Sequence, residues 1–171
     1  TINIYNTPDL SNAALIGGMV GGTPYPTGNT LNIYTKDIYA KSLAGFEKLC
    51  FFLPDSTVSG DTILTLTEGQ TDLKGVGIYA GVQGNANLSN GDTVTLLTNN
   101  SGLLTDDTTV YGTLSEGVSL TYDLTVSKKD DNNIIPNYFS PFMQKNIEIY
   151  YHAPFPNYRF CKADGDQDRP N

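Results

Sequence analysis

The chain writes nearly the same phrase twice, TINIYNT from Thr1 and TLNIYTK from Thr30, a step of 29 residues. Strand preference explains the letters of each copy but not the echo. A pattern that returns at a near-constant step is what a chain shows when it comes back over itself. The beat continues in pattern, with TILTLT at Thr62, TVTLLT at Thr93 and SLTYDLTV at Ser119. In the first copy Ile2 and Ile4 fall on one face, with Thr1, Asn3 and Tyr5 on the other. Leu31 with Ile33, Leu64 with Leu66, and Val94 with Leu96 repeat this, and Leu120, Tyr122, Leu124 and Val126 extend it. Side chains of a strand alternate faces, so this is apolar-inside, polar-outside strand writing. The Thr, Val and Ile content agrees with it.

Between the beats lie further alternations: Leu49, Phe51 and Leu53 in KLCFFLP, and Val76, Ile78, Ala80 and Val82 in GVGIYAGV. The punctuation is turn chemistry: GGTPYPTGN, PDSTVSGD, GNANLSNGD, TNNSG and SKKDDNN. Gly, Asn and Asp tolerate positive φ, and Pro withholds a ladder hydrogen bond. No amphipathic helix stands out, a short one around Ala40 to Lys48 being the only candidate. The expectation is an all-β chain. A beat of roughly 30 residues with two or three short strands fits a parallel β-solenoid. A β-sandwich also uses many short strands, but it requires no registered repeat.

With 171 residues the chain can form one domain with a sizeable core. Its 39% hydrophobic and 16% charged residues leave much Thr, Asn, Ser and Gly, which suits stacked strands with polar faces. A net charge of −8 and a pI near 4.4 argue against nucleic acid or an anionic membrane as partner. No apolar run approaches the roughly 20 residues that span a bilayer, and no signal peptide opens the sequence. Because Thr1 falls in mid-pattern, the chain is expected to be a processed or excised piece of something longer.

Past Lys129 the Thr rhythm gives way to Pro and aromatics, and only NIEIYYH, Asn146 to His152, reads as a strand. The terminal ADGDQDRPN is acidic and apolar-poor, which predicts a frayed end. Cys50 sits opposite in phase to Leu49 and Phe51, and Cys161 lies in the tail. Two unrelated thiols are the simpler expectation. A disulfide between them requires the tail to fold back onto the middle of the domain, and an oxidising compartment to persist.

Several phrases in order resemble the passenger segments of large bacterial autotransporter adhesins. NAALIGGMVGG followed by GNTLNIYTKD is similar to their IxGG phrase preceding an NxVxI strand. LAGFEKLCFFLPDSTVSGDTILTLT looks like the F-x-x-L-x-F-x-L-P run followed by GDT and a strand. NLSNGDTVTLLTNNSGL and VSLTYDLTVSKKDDNNI resemble the strands that close such a β-helix. The resemblance covers about residues 1–135. It implies an exported, non-enzymatic adhesin scaffold or stalk at the cell surface or outside the cell, contacting a host or bacterial protein or glycan. The outer-membrane translocator that such a segment needs is not in this chain, and the segment itself inserts into no membrane. Residues 136–171 depart from the family pattern. The expected organisation is a solenoid over 1–135, an aromatic-rich cap over 136–162 and a disordered acidic tail over 163–171.

Catalytic chemistry finds little footing. A Ser–His–Asp arrangement needs a histidine base, and His152 reads better as a strand-end residue facing solvent. Asp61, Asp92, Asp106, Asp107, Asp130 and Asp131 all fall in turns, where Asp closes local hydrogen bonds. A carbohydrate-active enzyme or glycan-binding module on the same scaffold is the alternative function. The enzyme would need two such carboxylates about 5–10 Å apart across a groove. Asp164, Asp166 and Asp168 imitate the start of a calcium loop, but Arg169 stands where that loop needs glycine. No catalytic, cofactor or metal residue is assigned. Tyr138, Phe139, Phe142, Tyr150, Tyr151, Phe155, Tyr158 and Phe160 form either a lid over the solenoid end or a sugar-stacking platform, and the lid is favoured. Turns such as GGTPYPTGN would carry binding contacts.

Overall fold

The computed structural model describes residues 1–84, 86, 88–89, 91–114 and 121–142, the side chains of 121–125 and 137–142 excepted. The described residues are all-β and contain no helix. The chain winds as a β-solenoid of about four turns. The first coil comprises β1 (Ile2–Ile4), β2 (Leu10–Ile16) and a small hairpin of β3 (Met19–Val20) and β4 (Thr23–Pro24) that leads into the GGTPYPTGN loop. The second coil holds only β5 (Thr30–Ile33) and β6 (Ile38–Ala44). The third holds β7 (Lys48–Leu53), β8 (Thr62–Leu66) and β9 (Thr71–Asp72). The fourth repeats that plan with β10 (Gly77–Val82), β11 (Thr95–Asn99) and β12 (Leu103–Leu104). A last coil begins with β13 (Val110–Thr113) and ends in a hairpin of β14 (Thr121–Lys128) and β15 (Asn133–Phe142).

Stacking the coils builds two long sheets. The first, in the order β1-β5-β7-β10-β13, is parallel throughout. The second runs β2-β6-β8-β11 in parallel and then continues antiparallel through β15 and β14. Parallel ladders between successive coils exclude the sandwich, whose sheets are antiparallel. Inward rows of Ile4, Ile33, Phe51 and Ala80 in the first sheet and Leu64 and Leu97 in the second form one contiguous core.

The register corrects the sequence reading in three places. Ile2, Leu31, Leu49, Ile78 and Tyr111 stack in one row, so the steps are 29, 18, 29 and 33 residues rather than near-constant. The second coil is short because only Gly45 to Glu47 separate β6 from β7, with no excursion. Consequently KLCFFL, not TILTLT, is the next copy stacked on TLNIYTK, and Leu64 belongs to the second sheet. Leu64 in turn stacks on Leu97 rather than Leu96. The region from Ala40 to Lys48 is strand and turn instead of helix, since Gly45 takes a φ of +70° and breaks the chain there. A Cβ on Gly45 would lie 2.5 Å from the Gly18 carbonyl oxygen, so this tight corner between two coils excludes any larger residue.

Two corners are tied by buried polar side chains. Asn99, fully buried, donates through Nδ2 to the Gly69 carbonyl and the Thr71 hydroxyl, both at 2.9 Å, and accepts from the Ser101 amide. Thr109 donates to the Leu73 carbonyl at 2.8 Å in the same manner. Each ties one coil to the next where the backbone leaves its sheet, replacing the ladder bonds lost there.

The parallel stack of the second sheet ends at β11. There β15 reverses direction, pairing Ile134 with Leu97, and Val126 and Ile134 close the core. Pro136, which has no amide to donate, sits beside the bulge between Thr125 and Val126, where a ladder tolerates it. The expected strand at Asn146 to His152 and the expected frayed terminus lie outside the described residues.

Candidate functional site

The outward face of the first sheet is the most distinctive surface. Its strands must point alternate residues away from the core, and the register lines these up coil by coil. One row runs Asn3, Asn32, Cys50, Tyr79 and Gly112. The next places Tyr5, Tyr34 and Phe52 in succession, then Gly81 and Leu114. The rings of Tyr5 and Tyr34 stack with centroids 4.6 Å apart, and those of Tyr34 and Phe52 at 4.4 Å, tilted by only 10° and 7°. That spacing follows from the strand separation of about 4.8 Å, which holds like side chains of adjacent parallel strands in contact. Beside them the Asn32 amide donates to the Asn3 side-chain oxygen at 2.8 Å.

Two glycines shape the far end. The Tyr79 ring lies across Gly77 on its own strand and Gly112 on the next, where a Cβ would stand 2.6 and 2.7 Å from ring carbons. Cys50, Phe52 and Leu114, with Tyr34 and Tyr79 against them, form an apolar cluster separate from the main core. Exposure along the face is uneven. Tyr5 is 51% exposed, whereas Asn32, Cys50 and Phe52 are 2%, 0% and 1% exposed although they point outward. Cys50 is disulfide-bonded, which overturns the expectation of two unrelated thiols; Cys161 lies outside the described residues. The side-chain oxygen of Asn32 is buried without a hydrogen-bond partner.

The turn carboxylates bond within their own turns, and Asp61 also reaches a lysine of the preceding coil. Asp61 pairs with Lys36 at 2.6 Å and accepts from the Val58 amide. Asp92 accepts from the Ser89 amide, and Asp131 pairs with Lys128 at 2.9 Å. Hydrogen bonds from the Thr108 hydroxyl and amide hold the Asp106 carboxyl below its ordinary value. The Asn132 amide and the Asn133 side chain do the same for Asp130, and the Ser11 hydroxyl and amide for Asp9. A glycosidase acid needs the opposite shift. Asp107 is exposed in the Asp106 turn.

Among the described residues, open clefts lie at two coil corners. One, of about 480 Å3, is lined by Pro54, Asp55, Ser56, Gln83 and Gly84. The other, of about 340 Å3, lies among Gln70, Gly102, Leu104, Lys128 and Asp131. Among the described residues no group of three or more His, Cys, Asp or Glu could hold a metal ion. His152, Asp164, Asp166, Asp168 and the aromatics from Tyr150 to Phe160 lie outside the described residues, as do the side chains of Tyr138, Phe139 and Phe142. The GGTPYPTGN loop is exposed, with Tyr25 48% accessible at its tip.

Sequence reasoning missed the stacked rings, although the signal was present. The echo itself spaces Tyr5 and Tyr34 by one coil, and only the short second coil hides Phe52 as their continuation. The chain matches no protein-family model, no curated protein and no solved structure.

Proposed function

We propose that this chain is a scaffold or stalk segment of an exported bacterial surface protein of the autotransporter-passenger kind, acting by presentation rather than by chemistry. The observation that supports it is the coil stack. A row of inward residues fixes the rod, while exposed excursions such as the β3–β4 hairpin, with Met19, Val20 and Tyr25 open to solvent, project away from that row. Such a body holds loops at set heights for contact with a protein or glycan on a host or bacterial surface. The test is protease shaving of intact cells that express the natural reading frame. Release of loop peptides from unbroken cells is expected, and release only after lysis contradicts the reading.

A glycan-binding module is the second reading, favoured by one observation. Tyr5 offers an exposed ring backed flat by Tyr34, the kind of rigid aromatic face on which an apolar sugar face packs. Binding to a glycan array that vanishes in Tyr5→Ala supports it, and array binding unaffected by that change removes it. Turnover of a polysaccharide would contradict both readings.

A further inference from the structure

We propose that the outer face of the first sheet is a docking surface for the C-terminal segment of this same chain, fastened there by a disulfide between Cys50 and Cys161. The inference is independent of the surface-protein reading above. It starts from burial. Strand alternation sends Cys50 and Phe52 away from the core, and Asn32 with them, yet all three are shut off from solvent. Neighbouring coils do not by themselves bury an outward residue: Tyr39, outward on β6 between β2 and β8, is 53% exposed. Something must lie over the middle of the face.

The disulfide names the occupant. Cys50 is bonded, and the sequence contains 2 cysteines, so within one chain the partner is Cys161. Reach is ample. From Phe142, where β15 ends, to Cys161 the chain can extend about 60 Å at 3.3 Å per residue. The whole face of five stacked strands is about 20 Å high at 4.8 Å per step. Composition fits as well. Tyr150, Tyr151, Phe155, Tyr158 and Phe160 precede Cys161, and they would meet an apolar cluster of Tyr34, Phe52, Tyr79 and Leu114. Pro154 and Pro156 favour an extended path for that stretch over a helical one. A polar group in it can also supply the partner that the buried Asn32 oxygen otherwise lacks.

Two measurements on the full-length chain, produced in an oxidising compartment, test this. Non-reducing peptide mapping should recover a Cys50–Cys161 linked peptide from monomeric protein. Free thiols at both positions, or the link only in a covalent dimer, overturns the proposal, the dimer pointing to a second copy as occupant. Hydroxyl-radical footprinting then reads the cover, with Tyr5 as internal standard. Phe52 should be oxidised far more slowly than Tyr5 in the native chain and several-fold faster after reduction and alkylation or in Cys161→Ser. Ready oxidation of Phe52 in the native, disulfide-bonded chain shows the face bare and overturns the proposal without reliance on any variant.

Discussion

The two long sheets are made by the same winding, yet their outer faces differ. On the second sheet the outward row is Tyr39, Thr65 and Thr98, with Lys41 paired to Glu68 at 3.0 Å beside it. Tyr39 is 53% exposed, and the flanking charges are solvated, as expected of a surface. On the first sheet the equivalent rows hold Asn32, Cys50 and Phe52, all buried. Inward rows are alike in both sheets, so the coil is specified by the inward half of each strand. The outward half is then free to be a surface or an interface. Burial where geometry demands exposure marks the first sheet as the interface.

The most severe test of that contrast removes the closing element. Ending the chain at Asn133 deletes β15, exposing Leu97 and the free edge of β11. An uncovered edge over an apolar interior promotes association. Aggregation, or a much lower melting temperature, is expected by light scattering and circular dichroism. A monomer with unchanged melting would show that the hairpin does not close the rod.

A finer cut compares single residues on opposite faces. Phe51→Ala, in the inward row, should cost about 3–5 kcal/mol by the usual loss for a buried phenylalanine. Phe52→Ala, pointing outward, should cost nearly as much, on the order of 3 kcal/mol, because it is equally buried. Tyr39→Ala on the other sheet should fall within about 0.5 kcal/mol of wild type. Chemical denaturation of the three variants decides it: if Phe52→Ala behaves like Tyr39→Ala, the contrast between the faces is broken.

Smallest is the effect of the turn carboxylates. Asp106 and Asp130 have folded pKa values below their ordinary 3.8, through local hydrogen bonds. A depressed value means that their stabilising contribution is present above 3.8 and lost as pH falls through the lower folded value. The melting-temperature gap between wild type and Asp106→Ala should therefore be small near neutrality and close only below that range. A gap that persists at lower pH would assign the residue some role other than turn closure.

Much of this architecture is legible in the sequence because alternation marks each strand and Gly, Asn and Asp mark each corner. What alternation does not say is which sheet a strand joins. TLNIYTK and TILTLT carry the same apolar-polar beat, but Leu31 and Leu64 lie in different sheets. Only the number of residues between corners separates them, and the 18-residue second coil breaks the near-constant step from which a register would be read. The stacked rings were hidden for the same reason. Phe52 reads as one more apolar letter in KLCFFL until the short coil sets it beside Tyr34. Asp92, Asp106 and Asp130 are legible as turn formers, since an Asp two or three residues from a Thr, Ser or Asn amide closes a loop by itself. No local pattern reports burial of an outward face, which depends on a segment distant in sequence.

All of these contrasts rest on the uneven register of the parallel coils, and that register is directly measurable. In a methyl-labelled sample, nuclear Overhauser contacts link side chains about 5 Å apart, the separation of neighbouring parallel strands. Leu31 should show contacts to both Ile2 and Leu49, and Leu64 to Leu97. Leu31 contacting Leu64 as its next stacked neighbour, with Leu49 elsewhere, would restore an even step of about 30 residues and contradict the two faces described above.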